Sequence, residues 1–133
     1  MRTRHLRALP ALAAASLLLA GCVANTPDDG SISVTSSADA CTLSATSAPS
    51  GTLTFSITNA GDQATEFYLL GADGHKVIGE AENIGPGLTR TLVVQVDPGD
   101  YVTACKPGMS GDGIRADFTV TGSGTAAGPT AAS

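Results

Sequence analysis

The chain has 133 residues with seven Lys and Arg against twelve Asp and Glu, a formal charge of −5, and that length fits one domain rather than several. So acidic a chain repels nucleic acid and anionic lipid and favours cations, without naming a cation. There is no Trp and there are only five aromatic residues, so Leu, Ile and Val must fill most of the core, and a covalent or metal staple between distant strands would help so small a domain.

The first segment reads as an export signal. Arg2, Arg4 and Arg7 form a cationic start, and Ala8 to Ala20 is a 13-residue run of Ala and Leu broken only by Pro10 and Ser16. That run is too short to cross the roughly 30 Å hydrocarbon core of a bilayer as a helix, so residues 1–21 read as a processed signal peptide. Leu19-Ala20-Gly21-Cys22 is the pattern that lipoprotein signal peptidases cut. Small residues precede the cysteine in the required order, which argues against an ordinary secretory signal with an incidental cysteine. The expected product is an extracytoplasmic protein anchored to the cell membrane by lipid on Cys22. Two or three acyl chains hold firmly, since each buried methylene adds about 0.8 kcal/mol. Removing residues 1–21 leaves 112 residues, and Lys76, Arg90, Lys106 and Arg115 face all twelve acids for a formal charge of −8.

Residues 22–30 then read as the lipidated cysteine and a short polar, turn-prone tether. Residues 31–121 carry the folded domain. Ile32 and Val34 suggest an opening strand. In Gly51–Ala60, Leu53, Phe55 and Ile57 share one face while Thr52, Thr54, Ser56 and Thr58 share the other. Thr65–Gly71 and His75–Glu80 follow as strands. Leu88, Arg90, Leu92, Val94 and Val96 form the next alternating series, ended by the turn Asp97-Pro98-Gly99-Asp100. Tyr101–Cys105 and the series Ile114, Ala116, Phe118 and Val120 complete the set. Seven or so short strands separated by Gly- and Pro-rich turns predict an all-β, antiparallel sandwich. Residues 122–133 contain only Gly, Ala, Ser, Thr and Pro and read as a disordered tail.

No catalytic constellation is legible, and no enzyme is expected. His5 leaves with the signal, so His75 is the one histidine of the mature chain. It sits in Asp73-Gly74-His75-Lys76 and reads as a solvated turn residue rather than a ligand. The chemistry concentrates after Tyr101. A strand delivers Cys105 to its end, and a Gly/Pro loop offers Met109 four residues later. Blue-copper sites present a thiolate and a thioether on such loops, but they also need two imidazoles, so no blue-copper site is expected. A soft site for Cu(I) from Cys41, Cys105 and Met109, or a mixed one adding Glu66, stays open. Glu80, Glu82 and Asp112 could supply oxygen ligands to a hard cation such as Fe(III). Against both stands a plain alternative: Cys22 is taken by lipid, and two remaining cysteines in an oxidising compartment most often pair, here as a Cys41–Cys105 disulfide.

Three segments carry a family resemblance: Thr65-Glu66-Phe67-Tyr68-Leu69-Leu70, the run Val77 to Leu88 with its Glu82-Asn83-Ile84-Gly85-Pro86-Gly87, and Cys105-Lys106-Pro107-Gly108-Met109-Ser110-Gly111-Asp112-Gly113-Ile114-Arg115. Together they resemble the cupredoxin-like domain of EfeO, the extracytoplasmic component of a bacterial iron-uptake system. The similarity spans about residues 31–121. It implies a cupredoxin-like Greek-key β-sandwich of about seven to eight strands, and copper or iron binding. It also implies a sulfur-rich site at Cys41, Glu66, Cys105 and Met109, an oxygen-rich one at Glu80, Glu82 and Asp112, and Cys41 close to Cys105 at one end of the sandwich. Longer family members continue into a helical peptidase-like domain, whereas this chain ends in its tail; a role that needs that domain would fall to a separate protein.

Two functions are expected from these readings. One is a membrane-anchored, cupredoxin-like metal-binding accessory to iron or copper uptake, partnered by an iron-permease or peroxidase component of the system. The other is a structural or interaction module that binds no metal and holds a Cys41–Cys105 disulfide.

Overall fold

The computed structural model describes residues 30–122. The expected signal peptide, Cys22, most of the tether and nearly all of the tail lie outside the described residues. Nine strands form two sheets: β1 (Ile32–Ser36), β2 (Cys41–Leu43), β3 (Ser47–Pro49), β4 (Gly51–Asn59), β5 (Thr65–Gly71), β6 (Val77–Ile84), β7 (Thr89–Val96), β8 (Gly99–Cys105) and β9 (Ile114–Thr121). One sheet has the order β2-β1-β4-β7, the other β3-β9-β8-β5-β6. A 3₁₀ turn, Pro107–Met109, follows β8.

The seven strands expected from alternation are all present. The two additional ones, β2 and β3, are three residues each, too short to display a period of two. They also introduce two parallel pairings into an otherwise antiparallel fold. The chain leaves the first sheet after β2, pairs Ser47–Pro49 with the end of β9, and returns as β4, so β4 runs parallel to β1. Pro49 is tolerated because β3 is an edge strand, where a missing N–H breaks no internal ladder.

Between the sheets, Leu53, Phe55 and Ile57 of β4 face Phe67 and Leu69 of β5 and Phe118 and Val120 of β9. Phe55, Phe67 and Phe118 are essentially solvent-free, and the Phe55 ring lies 5.1 Å from Phe67 and 5.7 Å from Phe118, centroid to centroid. As expected, Leu, Ile and Val supply most of the core, and three of the five aromatic residues meet at its centre. Tilted pairs at such separations contribute about 0.5–1.5 kcal/mol each beyond their burial. The expected inward face of β7 also needs correction at its start. Leu88 lies in the preceding turn and is 59% exposed, and only Leu92, Val94 and Val96 turn toward the core. The edges of β6 and β7 approach so closely that a Cβ on Gly79 would overlap the Val94 side chain.

One end of the sandwich gathers the ends of β1, β4, β6 and β8 and the starts of β2, β5, β7 and β9. Its interior is polar and fully paired. Asn59, 1% exposed, donates through Nδ2 to the carbonyls of Gln63 and Ile84 at 2.7 Å each and accepts from the Gly61 N–H at 2.8 Å. The buried hydroxyls of Ser36 and Thr65 bond one another at 2.8 Å. Among the described residues no buried side-chain polar atom lacks a partner, as a well-specified end requires.

Candidate functional site

The candidate residues fall on two faces of the five-stranded sheet. Strand alternation places Phe67 and Cys105, which pair across β5 and β8, on the inner face. Cys105 is fully buried and bonded to the half-buried Cys41, with Cα atoms 5.6 Å apart. The bond links β2 in one sheet to β8 in the other. Both thiolates are thereby withdrawn from any donor set while the bridge is intact.

Glu66 sits one residue before Phe67 and so emerges on the outer face. Its main chain is tied to the Lys106 main chain by two hydrogen bonds, and its carboxylate accepts from the Tyr68 hydroxyl at 2.9 Å. Glu66 therefore stands apart from the sulfur-rich grouping: alternation along β5 puts it across the sheet from the cysteines. Met109 is at the bridged end, as the last residue of the 3₁₀ turn. It is 41% exposed with φ 55°, and its N–H donates to Lys106.

The oxygen-rich grouping also changes membership. Glu80 is opposite Tyr68 in register, and Glu66, Glu80 and Glu82 all lie close enough to act on the Tyr68 hydroxyl. Burial, reinforced by the hydrogen bond to Glu66 and by the charges of those three carboxylates, pushes Tyr68 up to about 12. Lys106 Nζ covers the same ring, 4.3 Å from its centroid. Asp112 is elsewhere. It lies in the loop before β9, almost wholly exposed and 4.0 Å from Arg115, and three inter-strand steps of about 4.8 Å separate β9 from β6. Among the described residues no three His, Cys, Asp or Glu side chains are grouped so as to hold a metal.

His75 occupies the β5–β6 turn. The Asp73 carboxylate accepts the N–H groups of His75 and Lys76 at 2.9 and 3.0 Å, and those two bonds, Lys76 foremost, hold its carboxyl below the usual range. The turn folds back over the outer face of the sheet, where Arg115 Nη1 donates to the Gly74 carbonyl at 2.9 Å. A blue-copper ligand set needs two imidazoles and a free thiolate together. Here the described residues hold one histidine, and Cys105 is bonded to Cys41. The residues present do not fit such a centre.

Tyr68 and Lys106 are the residues that sequence reasoning did not single out. The sign was available in Glu66-Phe67-Tyr68, where residues two apart on a strand share a face and can meet.

The model of the cupredoxin-like domain family matches residues 10–120. The chain belongs to that family. Two solved structures share its fold. Dithionite-reduced auracyanin from the photosynthetic bacterium Roseiflexus castenholzii superposes with a TM-score of 0.54 at 19% identity, covering 67% of this chain and 94% of that one. The azurin Az-iso2 from the methylotroph Methylomonas sp. strain J gives 0.51 at 16% identity, covering 66% and 95%. At such identities the likeness extends to the fold alone. No curated protein matches the chain. The family match does not single out the EfeO branch of cupredoxin-like domains.

Proposed function

We propose that this cupredoxin-like domain is a lipid-anchored extracytoplasmic module that serves metal uptake by interaction, without catalysis, and that its oxidised form is stapled by sulfur rather than centred on a metal. The observation that carries this reading is the bond between Cys41 and Cys105. It joins the two sheets at the end where a cupredoxin fold would present a thiolate, and it closes a loop of 64 residues. On the chain-entropy account that closure stabilises the fold by about 4 kcal/mol, a large share for a domain this small. The resemblance of Thr65–Leu70, Val77–Leu88 and Cys105–Arg115 to EfeO supports a place in iron or copper handling, beside an iron-permease or peroxidase component.

A second reading has its own observation. Cys41, Cys105 and Met109 all belong to one end of the sandwich, so reduction would offer two thiolates and a thioether to Cu(I) at that end. Cu(I) titration against a competing chelator decides between the two, run on the mature domain before and after reduction. The proposal expects no competition by the oxidised domain. Tight binding by the oxidised domain would overturn it, and binding only after reduction that is lost in Cys105→Ser and weakened in Met109→Leu would establish the second reading instead.

A further inference from the structure

The two sulfurs of the bridge differ in their surroundings. Cys105 has no exposed surface and ends β8 beside Phe67. Cys41 keeps part of its surface in water and follows Ala38, Asp39 and Ala40, all exposed. It also opens β2, the edge strand of its sheet, which pairs with β1. Ser37 donates its N–H to the Ala40 carbonyl, and Ser44 donates to Ser33. Bonded and non-bonded pairs alternate along an antiparallel ladder. The N–H and C=O groups of Cys41 and Leu43 therefore point away from β1, to the open edge.

We propose that the bridge is a thiol–disulfide exchange site of fixed polarity: a protein dithiol, docked as an added strand on the open edge of β2, attacks Cys41 and releases Cys105. The inference rests on the sulfur-stapled reading put forward above and names what opens the staple. The attacking sulfur must approach along the S–S axis from beyond the sulfur it attacks, so access selects the target. At Cys105 that path is closed by the core. At Cys41 water already reaches the residue. The partner's thiolate bonds to Cys41 Sγ, and the electron pair of the Cys41–Cys105 bond leaves on Cys105 Sγ, which takes up the proton that the attacking thiol gave up. The partner's second thiol then attacks the partner's own sulfur in the mixed disulfide, and Cys41 leaves with the second proton. Two electrons and two protons thus pass to the chain, and the partner's dithiol becomes a disulfide. Strand addition favours a protein over a small thiol, because its main chain can bond the outward groups of Cys41 and Leu43. Once the bond is open, β2 is held by its three register pairs with β1 and is no longer tied to the second sheet.

The test uses the mature protein, purified without reductant, and a thioredoxin whose second active-site cysteine is replaced by serine, so that the mixed disulfide persists. Acid quenching within seconds, alkylation and peptide mapping should place the partner's sulfur on Cys41 and the alkyl group on Cys105, in at least ten-fold excess over the reverse. A mixed disulfide on Cys105, on both equally, or none at all while the denatured chain reacts, overturns the polarity and leaves the staple standing. Protein in which Cys41 and Cys105 are free before mixing overturns the staple and the proposal together. Docking is read separately with Leu43→Pro, which removes an outward N–H and spares the β1 ladder. The ratio of its reduction rate by intact thioredoxin to that by dithiothreitol should fall several-fold from the wild-type ratio, since any loosening of the strand speeds both. An unchanged ratio overturns docking on β2.

Discussion

Cys105 ends β8 on the inner face opposite Phe67 and is bonded to Cys41, which opens β2 in the other sheet. One covalent bond thus ties the last strand before the glycine-rich loop to the shortest strand of the opposite sheet. Replacing both cysteines by serine should lower the unfolding free energy by about 4 kcal/mol. Denaturant melts of the double variant and wild type, compared at equal m-value, check this. A loss below about 1 kcal/mol would mean that the bridge constrains little of the unfolded chain.

The three phenylalanines make a second, independent prediction. Phe55 is fully buried and contacts both Phe67 and Phe118, so Phe55→Ala should cost about 3–5 kcal/mol through lost burial and the cavity left behind. Phe55→Leu should cost clearly less. Equal losses would show that the site collapses around either side chain.

Much of this architecture is legible in the sequence, because a strand with one buried face writes its period into the chain. Leu53, Phe55 and Ile57 alternate with Thr and Ser, and β4 is where that pattern predicts it. Cys41–Leu43 and Ser47–Pro49 are invisible by the same logic, since three residues of mixed polarity show no period. The candidate site is harder to read. Spacing along the chain gives which residues are near Cys105, but that Cys105 lies beside Phe67 on the inner face depends on the register of β5 against β8. Likewise the gathering of Glu66, Glu80 and Glu82 at Tyr68 needs β5 and β6 aligned across a bulge, which no local pattern reveals.

Asn59 closes the bridged end with three hydrogen bonds from a fully buried position. Asn59→Leu removes that amide and strands the Gln63 and Ile84 carbonyls and the Gly61 N–H, at about 1–3 kcal/mol for a buried group left unpaired. Loss of about 3 kcal/mol or more in chemical denaturation is expected, and a neutral outcome would mean that water replaces the side chain.

Tyr68 supplies a pH dependence. Burial, with the Glu66 hydrogen bond and the nearby carboxylates, pushes its hydroxyl from the ordinary 10.0 up to about 12, so the folded state holds the proton more tightly than the unfolded one. The corresponding stability is fully present below pH 10 and is lost as the pH rises from 10 toward 12. Tyr68→Phe should remove that part of the alkaline loss, and the tyrosinate absorbance missing from the variant should be the component with the high midpoint. A missing component that titrates near 10 would contradict the burial of the hydroxyl beside Glu66.

The anchor is tested by Cys22→Ser, since the proposed acyl acceptor is the cysteine of Leu19-Ala20-Gly21-Cys22. The variant should be released from membranes or remain unprocessed, by fractionation and mass spectrometry. Normal maturation with full membrane retention would refute the lipoprotein assignment.

The most direct test of the sulfur-stapled reading is a count of free thiols in the mature domain, purified without reductant and unfolded in denaturant before labelling. With Cys22 carrying lipid and Cys41 bonded to Cys105, the account predicts none. Two free thiols per chain would contradict it and return both cysteines to the pool of metal ligands.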